Sequence, residues 1–140
     1  MITAVDTNVL IALWDTSDAL NVLAQNALDK VYDSGRLIVS GAVFAELLGP
    51  SGRTEKMIES FLDDTGITVE WKMDEATWRT AARAYQGYVK RRRRQKLPEP
   101  RRIITDFLIG AQAEVNNYRL LTLDQRMHKA AFPQLNIVEM

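Results

Sequence analysis

Asp6, Glu46, Asp106 and Asp124 are the residues of this chain whose type and setting suggest chemistry. Asp6 follows Ile2-Thr3-Ala4-Val5, which reads as a short buried strand, and precedes Thr7-Asn8 and an apolar helical stretch. That puts a carboxylate at a strand's carboxyl end, the edge of an open α/β sheet where ligands collect. A helix N-cap or Asx turn is the structural alternative for Asp at such a junction. Asp124 repeats the setting after Leu120-Leu121-Thr122-Leu123. Asp106 precedes the apolar Phe107-Leu108-Ile109-Gly110-Ala111, at or near a helix N-terminus, where a carboxylate also suits the helix dipole. Glu46 lies within Val43-Phe44-Ala45-Glu46-Leu47-Leu48. A segment so poor in polar residues is either buried nearly all round or turns Glu46 toward a polar cavity.

Carboxylates gathered in a partly buried site raise one another's pKa values and couple their titrations, and bound cations relieve the repulsion. Oxygen ligands favour magnesium or manganese. Zinc is disfavoured by the absence of Cys and the presence of a single His, His128. Such a site activates water and stabilises charge on a phosphoryl oxygen, so phosphodiester hydrolysis is the expected reaction class. His128, on the helix after Asp124, reads as a surface or capping residue. Trp14, Trp71 and Trp78 read as core or interface aromatics.

The elements that must position these groups alternate. Ile2–Val5, Leu37–Val39, Ile67–Val69, Leu120–Leu123 and Asn136–Val138 read as strands, separated by helical patterns. Ser17 is placed to cap a helix carrying Leu20, Leu23, Ala24, Ala27, Leu28 and Val31, which Ser34-Gly35 ends. Thr54 or Arg53 opens another, bearing Met57, Ile58, Phe61 and Leu62. Asp74 and Glu75 begin a long helix with Ala76, Trp78, Ala81, Ala82, Tyr85 and Val89, which runs into an arginine cluster and stops at Leu97-Pro98-Glu99-Pro100. Strands alternating with helices imply a parallel sheet with right-handed crossovers, so every strand-to-helix junction opens on one edge. All four carboxylates can then meet in one crevice.

At 140 residues the chain is expected to form a single domain, residues 1–140. Its apolar fraction of 46% and charged fraction of 26% are ordinary for a soluble globular protein. No apolar run approaches the roughly 20 residues of a membrane span, and the N-terminus lacks a signal-peptide plan, so a cytoplasmic location is expected. Without Cys there are no disulfides or thiol nucleophiles. The zero net charge hides an asymmetry: Lys90 to Arg102 holds eight basic residues against Glu99 alone, leaving ten basic and seventeen acidic residues elsewhere. A solvated helix end is the structural alternative, but eight charges exceed what capping needs. Arg91, Arg92, Arg93, Arg94, Arg101 and Arg102 therefore read as an anion-binding arm suited to a phosphate backbone, with RNA grip, partner docking and a mobile loop as its possible uses.

Val5-Asp6-Thr7-Asn8-Val9-Leu10, Ala45-Glu46, Thr105-Asp106-Phe107-Leu108-Ile109-Gly110-Ala111, Leu121-Thr122-Leu123-Asp124 and the closing Phe132-Pro133-Gln134-Leu135-Asn136-Ile137 together resemble a PIN domain. In length and ending the chain is similar to the VapC-type toxin ribonucleases of toxin–antitoxin pairs. The resemblance implies an α/β, three-layer fold with a central parallel sheet of four to five short strands flanked by helices. It further implies a magnesium- or manganese-dependent endoribonuclease. Asp6, Glu46, Asp106 and Asp124 would be its catalytic and metal-binding quartet, and Thr7, Asn8 and Thr122 the polar neighbours that orient carboxylates or waters. A homodimer held in check by a cognate antitoxin is the implied assembly. Two other readings compete. A phosphatase of the haloacid dehalogenase-like fold would use a strand-end Asp in an Asp-x-Asp pattern, but Asn8 stands at the second position. A catalytically weak or inactive RNA- or protein-binding module would keep the fold without turnover.

Overall fold

The computed structural model describes residues 1–98 and 102–140. Along the chain run β1 (Ile2–Val5), α1 (Thr7–Trp14), α2 (Asn21–Tyr32), β2 (Arg36–Ser40), α3 (Gly41–Leu47) and α4 (Glu55–Thr65). They are followed by β3 (Ile67–Glu70), α5 (Glu75–Arg94), α6 (Ile104–Val115), β4 (Arg119–Leu121), α7 (Gln125–Ala131) and β5 (Asn136–Ile137). The strands form one five-stranded parallel sheet in the order β3-β2-β1-β4-β5, flanked by helices. No helix among the described residues is long and apolar enough to cross a membrane.

This order carries the functional consequence. The chain builds outward from β1 through β2 to β3, then returns to lay β4 and β5 on the other side of β1. The direction of building reverses between β1 and β4, and in open α/β sheets the crevice beyond the carboxyl ends of two such strands is where ligands bind. Ala4 pairs with Leu120 and Val5 with Leu121, and the Asp6 amide continues the ladder by donating to Leu121 O at 2.9 Å. The loops after β1 and β4 therefore leave the sheet side by side.

Buried residues from the strands and from α1 to α4 form the main core, with Leu10, Ile38, Leu47, Ile58 and Leu120 at its centre. A smaller cluster of Ala81, Phe107, Leu108, Ala111 and Phe132 packs α5, α6 and the end of α7. Helix α6 belongs to both: Ile109 and Ala113 face the sheet, while Phe107, Leu108 and Ala111 face the smaller cluster. That is why residues Phe107 to Ala113 are apolar almost all round.

Local signals set several boundaries. Ser40, Thr54 and Asp74 accept hydrogen bonds from Val43 N, Met57 N and Thr77 N and so cap α3, α4 and α5. Gly66, at φ 70°, closes α4 in the left-handed conformation that glycine adopts without strain. Other expectations are corrected. Ser17 does not cap α2, which starts at Asn21; its hydroxyl and amide both donate to Asp15 in a turn, and Asp18 accepts from Leu20 N in the next. The buried face of α2 is also narrower than its sequence suggests: Ala24, Ala27 and Val31 are buried, but Leu20 and Leu23 are exposed. On α5 the inward residues are Thr77 and Ala81, and Trp78 is exposed. Trp71 is exposed too, against Phe44, so neither tryptophan belongs to the core; Trp14 packs edge-on to Phe61.

Candidate active site

Asp6 occupies the N-cap position of α1, yet its side chain makes no capping bond. It accepts instead from the Thr122 hydroxyl at 2.7 Å and from His128 Nε2 at 3.2 Å, both on Oδ2. The capping alternative for Asp6 is thus overturned: its carboxylate is held across β1 and β4. Thr122, fully buried just beyond β4, also takes a bond from Asp124 N at 3.0 Å and a long one from Asn8 Nδ2 at 3.4 Å. Asn8 Oδ1 in turn accepts from Leu123 N at 3.1 Å. These bonds tie the two loops together at the point where the strand order reverses.

Glu46 reaches the same place from the last turn of α3, where Thr7 of α1 donates to it at 2.7 Å. It is half-buried and looks into the polar crevice, which is why its own helix offers so few polar residues. Asp106 enters from the first turn of α6 and accepts a 3.4 Å bond from Ile103 N, so part of its role is that of a helix-start carboxylate. Asp124 stands at the N-cap position of α7 without capping it and pairs with Arg102 at 2.5 Å. Asp124 lies three residues beyond the end of β4, not directly at its tip.

The electrostatics separate the four. Burial pushes the Glu46 carboxyl above the ordinary carboxylate range, and the facing Asp106 and Asp6 add to the shift against the Thr7 hydrogen bond. Burial likewise raises Asp106, helped by Asp6 and opposed by the Ile103 amide and Arg102. Asp6, Glu46 and Asp106 therefore sense one another as repelling charges, whereas Asp124 has its counter-ion in Arg102.

Three mutually repelling carboxylates suit a hard cation bound through oxygen. Among the described residues no three such groups close tightly around one point. Magnesium, where proteins bind it, keeps several waters and takes one or two carboxylates plus substrate phosphate. A carboxyl whose folded pKa is raised holds its proton more tightly when folded. Its contribution therefore lowers stability as pH climbs from the unfolded value through the raised one. A cation that neutralises Glu46 and Asp106 should then raise the melting temperature more at neutral pH than at acidic pH, where the raised carboxyls take up protons. Equal metal-induced shifts at both pH values, read by thermal melts with Glu46→Gln as the control, would count against this arrangement.

Beside Asp124 a cavity of about 420 Å³ opens between the end of α5 and α7, lined among others by Tyr88, Arg91, Arg92, Arg102 and Arg126. Arg91 to Arg94 form the last turn of α5, where Arg92 also donates to Pro98 O at 3.0 and 3.2 Å. Arg101 lies outside the described residues. The basic arm thus ends alongside the acidic crevice. His128 is the residue that sequence reasoning missed: it is not a surface or capping group but is 2% exposed and in contact with Asp6. Its one legible signal was position, a turn beyond Asp124 on the same short helix.

The PIN domain family model matches residues 3–133, and the chain belongs to that family. Solved structures carry the same fold. VapBC-1 from nontypeable Haemophilus influenzae superposes with a TM-score of 0.66 at 18% identity, over 99% of this chain and 98% of that one. VapBC2 from Rickettsia felis, bound to a DNA fragment from its promoter, gives 0.63 at 18%, over 99% and 98%. VapC20 of Mycobacterium tuberculosis, described as a sarcin-ricin loop cleaving toxin, gives 0.62 at 17%, over 96% and 98%. No curated protein matches this chain at the sequence level.

Proposed function

We propose that this chain is a magnesium- or manganese-dependent endoribonuclease, the toxin of a type II toxin–antitoxin pair, acting as a cytoplasmic homodimer under the control of a cognate antitoxin. The observation that carries the reading is the meeting of Asp6, Glu46 and Asp106, from three separate segments, at the sheet's reversal point, with burial and mutual repulsion raising two of them. Family membership supports a nuclease, and the VapBC structures among the neighbours support an antitoxin partner.

In this reading the ion would be held at Asp6, Glu46 and Asp106, by one or two of them directly and by the rest through retained waters. The ion, when bound, lowers the pKa of an attacking water and stabilises charge on the phosphoryl oxygens. Thr7 and Thr122 keep Glu46 and Asp6 turned toward it through their hydroxyl donors. Asp124, catalytic in the family pattern, acts here by fixing Arg102 at the mouth of the arginine-lined cavity. The arm at the end of α5 holds the RNA backbone. Partner-free protein incubated with mixed RNA and magnesium or manganese should give discrete cleavage that EDTA abolishes. Intact RNA under every metal tested, with metal still raising the melting temperature, would favour the binding-module alternative.

Replacing Arg91, Arg92, Arg93 and Arg94 with Gln should weaken RNA binding and flatten its salt dependence. On single strands the log–log slope should fall by about 0.7 for each phosphate that is no longer neutralised. An unchanged affinity and slope in filter-binding titrations would remove the arm from the RNA interface.

A further inference from the structure

We infer that His128 is a positioning residue for Asp6, a role that rests on the nuclease reading above. The imidazole is 2% exposed on α7, stacked at 22° on the Phe132 ring with centroids 6.4 Å apart. Gly110 of α6 makes the slot possible. A Cβ there would lie 2.3 Å from Phe132 Cε2 and 3.0 Å from His128 Nδ1, so any side chain would expel the ring pair.

Within that slot the two ring nitrogens fare differently. Nε2 lies 3.2 Å from Asp6 Oδ2, while Nδ1 is buried with no hydrogen-bond partner among the described residues. A buried polar atom without a partner carries a free-energy cost that an apolar side chain of similar size would avoid. What the imidazole contributes in exchange is its Nε2–H. That donor and the Thr122 hydroxyl converge on the same carboxylate oxygen from α7 and from the loop after β4. Two donors from different elements stop the carboxylate from turning about its last bond. Both end on Oδ2, so Oδ1 is left without a protein partner among the described residues and would be the oxygen free for a cation. Groups that orient a ligating side chain in this way typically alter metal affinity or activity by about 10–100-fold when removed.

The test compares His128→Leu, which keeps an apolar filling, with His128→Gln, which restores an N–H donor. In His128→Leu, manganese binding measured by calorimetry and kcat for RNA cleavage should each fall by about 10–100-fold. KM for RNA should stay near the wild-type value because the basic arm is untouched. The metal-free melting temperature should stay close to wild type because Leu fills the slot and its loss of ring stacking is offset by removal of the unpartnered Nδ1. His128→Gln should recover most of the loss. Wild-type manganese affinity in the Leu variant overturns the inference, and so does equal impairment of the two variants, which would mean a packing role. A metal-free crystal structure of the Leu variant supplies a reading independent of turnover. A rotated Asp6 carboxylate supports positioning, and an unmoved one overturns it. Wild-type protein that cuts no RNA would sink the nuclease reading while leaving this structural arm intact.

Discussion

Asp6→Asn is expected to lower RNA cleavage by about a thousandfold or more while leaving the protein folded. Metal-assisted catalysis contributes several kcal/mol, and each 1.36 kcal/mol is about a factor of ten in rate. Asp6 is the carboxylate at the sheet's reversal point and the one that both Glu46 and Asp106 face. Asn keeps its size and can still accept from Thr122, so packing is preserved while the negative charge is lost. Removing that charge also relieves the repulsion on Glu46 and Asp106, and the metal-free melting temperature should hold or rise. Single-turnover assays in manganese, run beside Asp106→Asn and thermal melts, check both halves. Activity within about tenfold of wild type, less than 1.4 kcal/mol, would take Asp6 out of the proposed metal site.

The second large effect is on stability. Phe107→Ala should cost about 3–5 kcal/mol, the usual penalty for emptying a fully buried aromatic site. Phe107 is 0% exposed and sits edge-on to Tyr85 at 5.3 Å and tilted against Tyr88 at 5.5 Å. It is thus the central ring of the smaller core that joins α5 to α6. For a chain of this length that corresponds to a fall in melting temperature of roughly 10–20 °C. Phe107 directly follows Asp106, so the variant should also lose metal-induced stabilisation as the first turn of α6 loosens. Denaturant titration gives the free energy directly. A loss below about 1 kcal/mol would show that the cluster collapses around the vacancy.

The arrangement also explains why one family pattern is distributed so widely along the chain. A parallel sheet whose order reverses beside β1 brings the ends of β1 and β4 together across more than a hundred residues, as the Thr122 to Asp6 bond shows. Helices α3 and α6 then add Glu46 and Asp106 from opposite parts of the sequence, and the two helices pack against each other.

Much of this was legible in the residues. Strand runs, the caps at Thr54 and Asp74, the arginine-rich helix end and the carboxylates after β1 and at the start of α6 are local features. Their signals come from periodicity and neighbours within a turn, which folding does not rewrite. Glu46 was legible for a related reason: a polar residue in so apolar a helix needs a polar destination. The tertiary structure decided what depended on partners distant in sequence. The sequence could not tell whether Asp6 capped α1 or bonded to Thr122, since both are ordinary for Asp and only strand order selects between them. Nor could it bury His128, whose slot exists because Gly110 on another helix lacks a side chain. The pairing of Asp124 with Arg102 and the exposure of Trp71 and Trp78 were set the same way. By itself the sequence determined the elements and the acidic groups they carry; the packing of α6 and α7 against the sheet decided which groups face one another, because burial and charge pairing are properties of contacts across the fold.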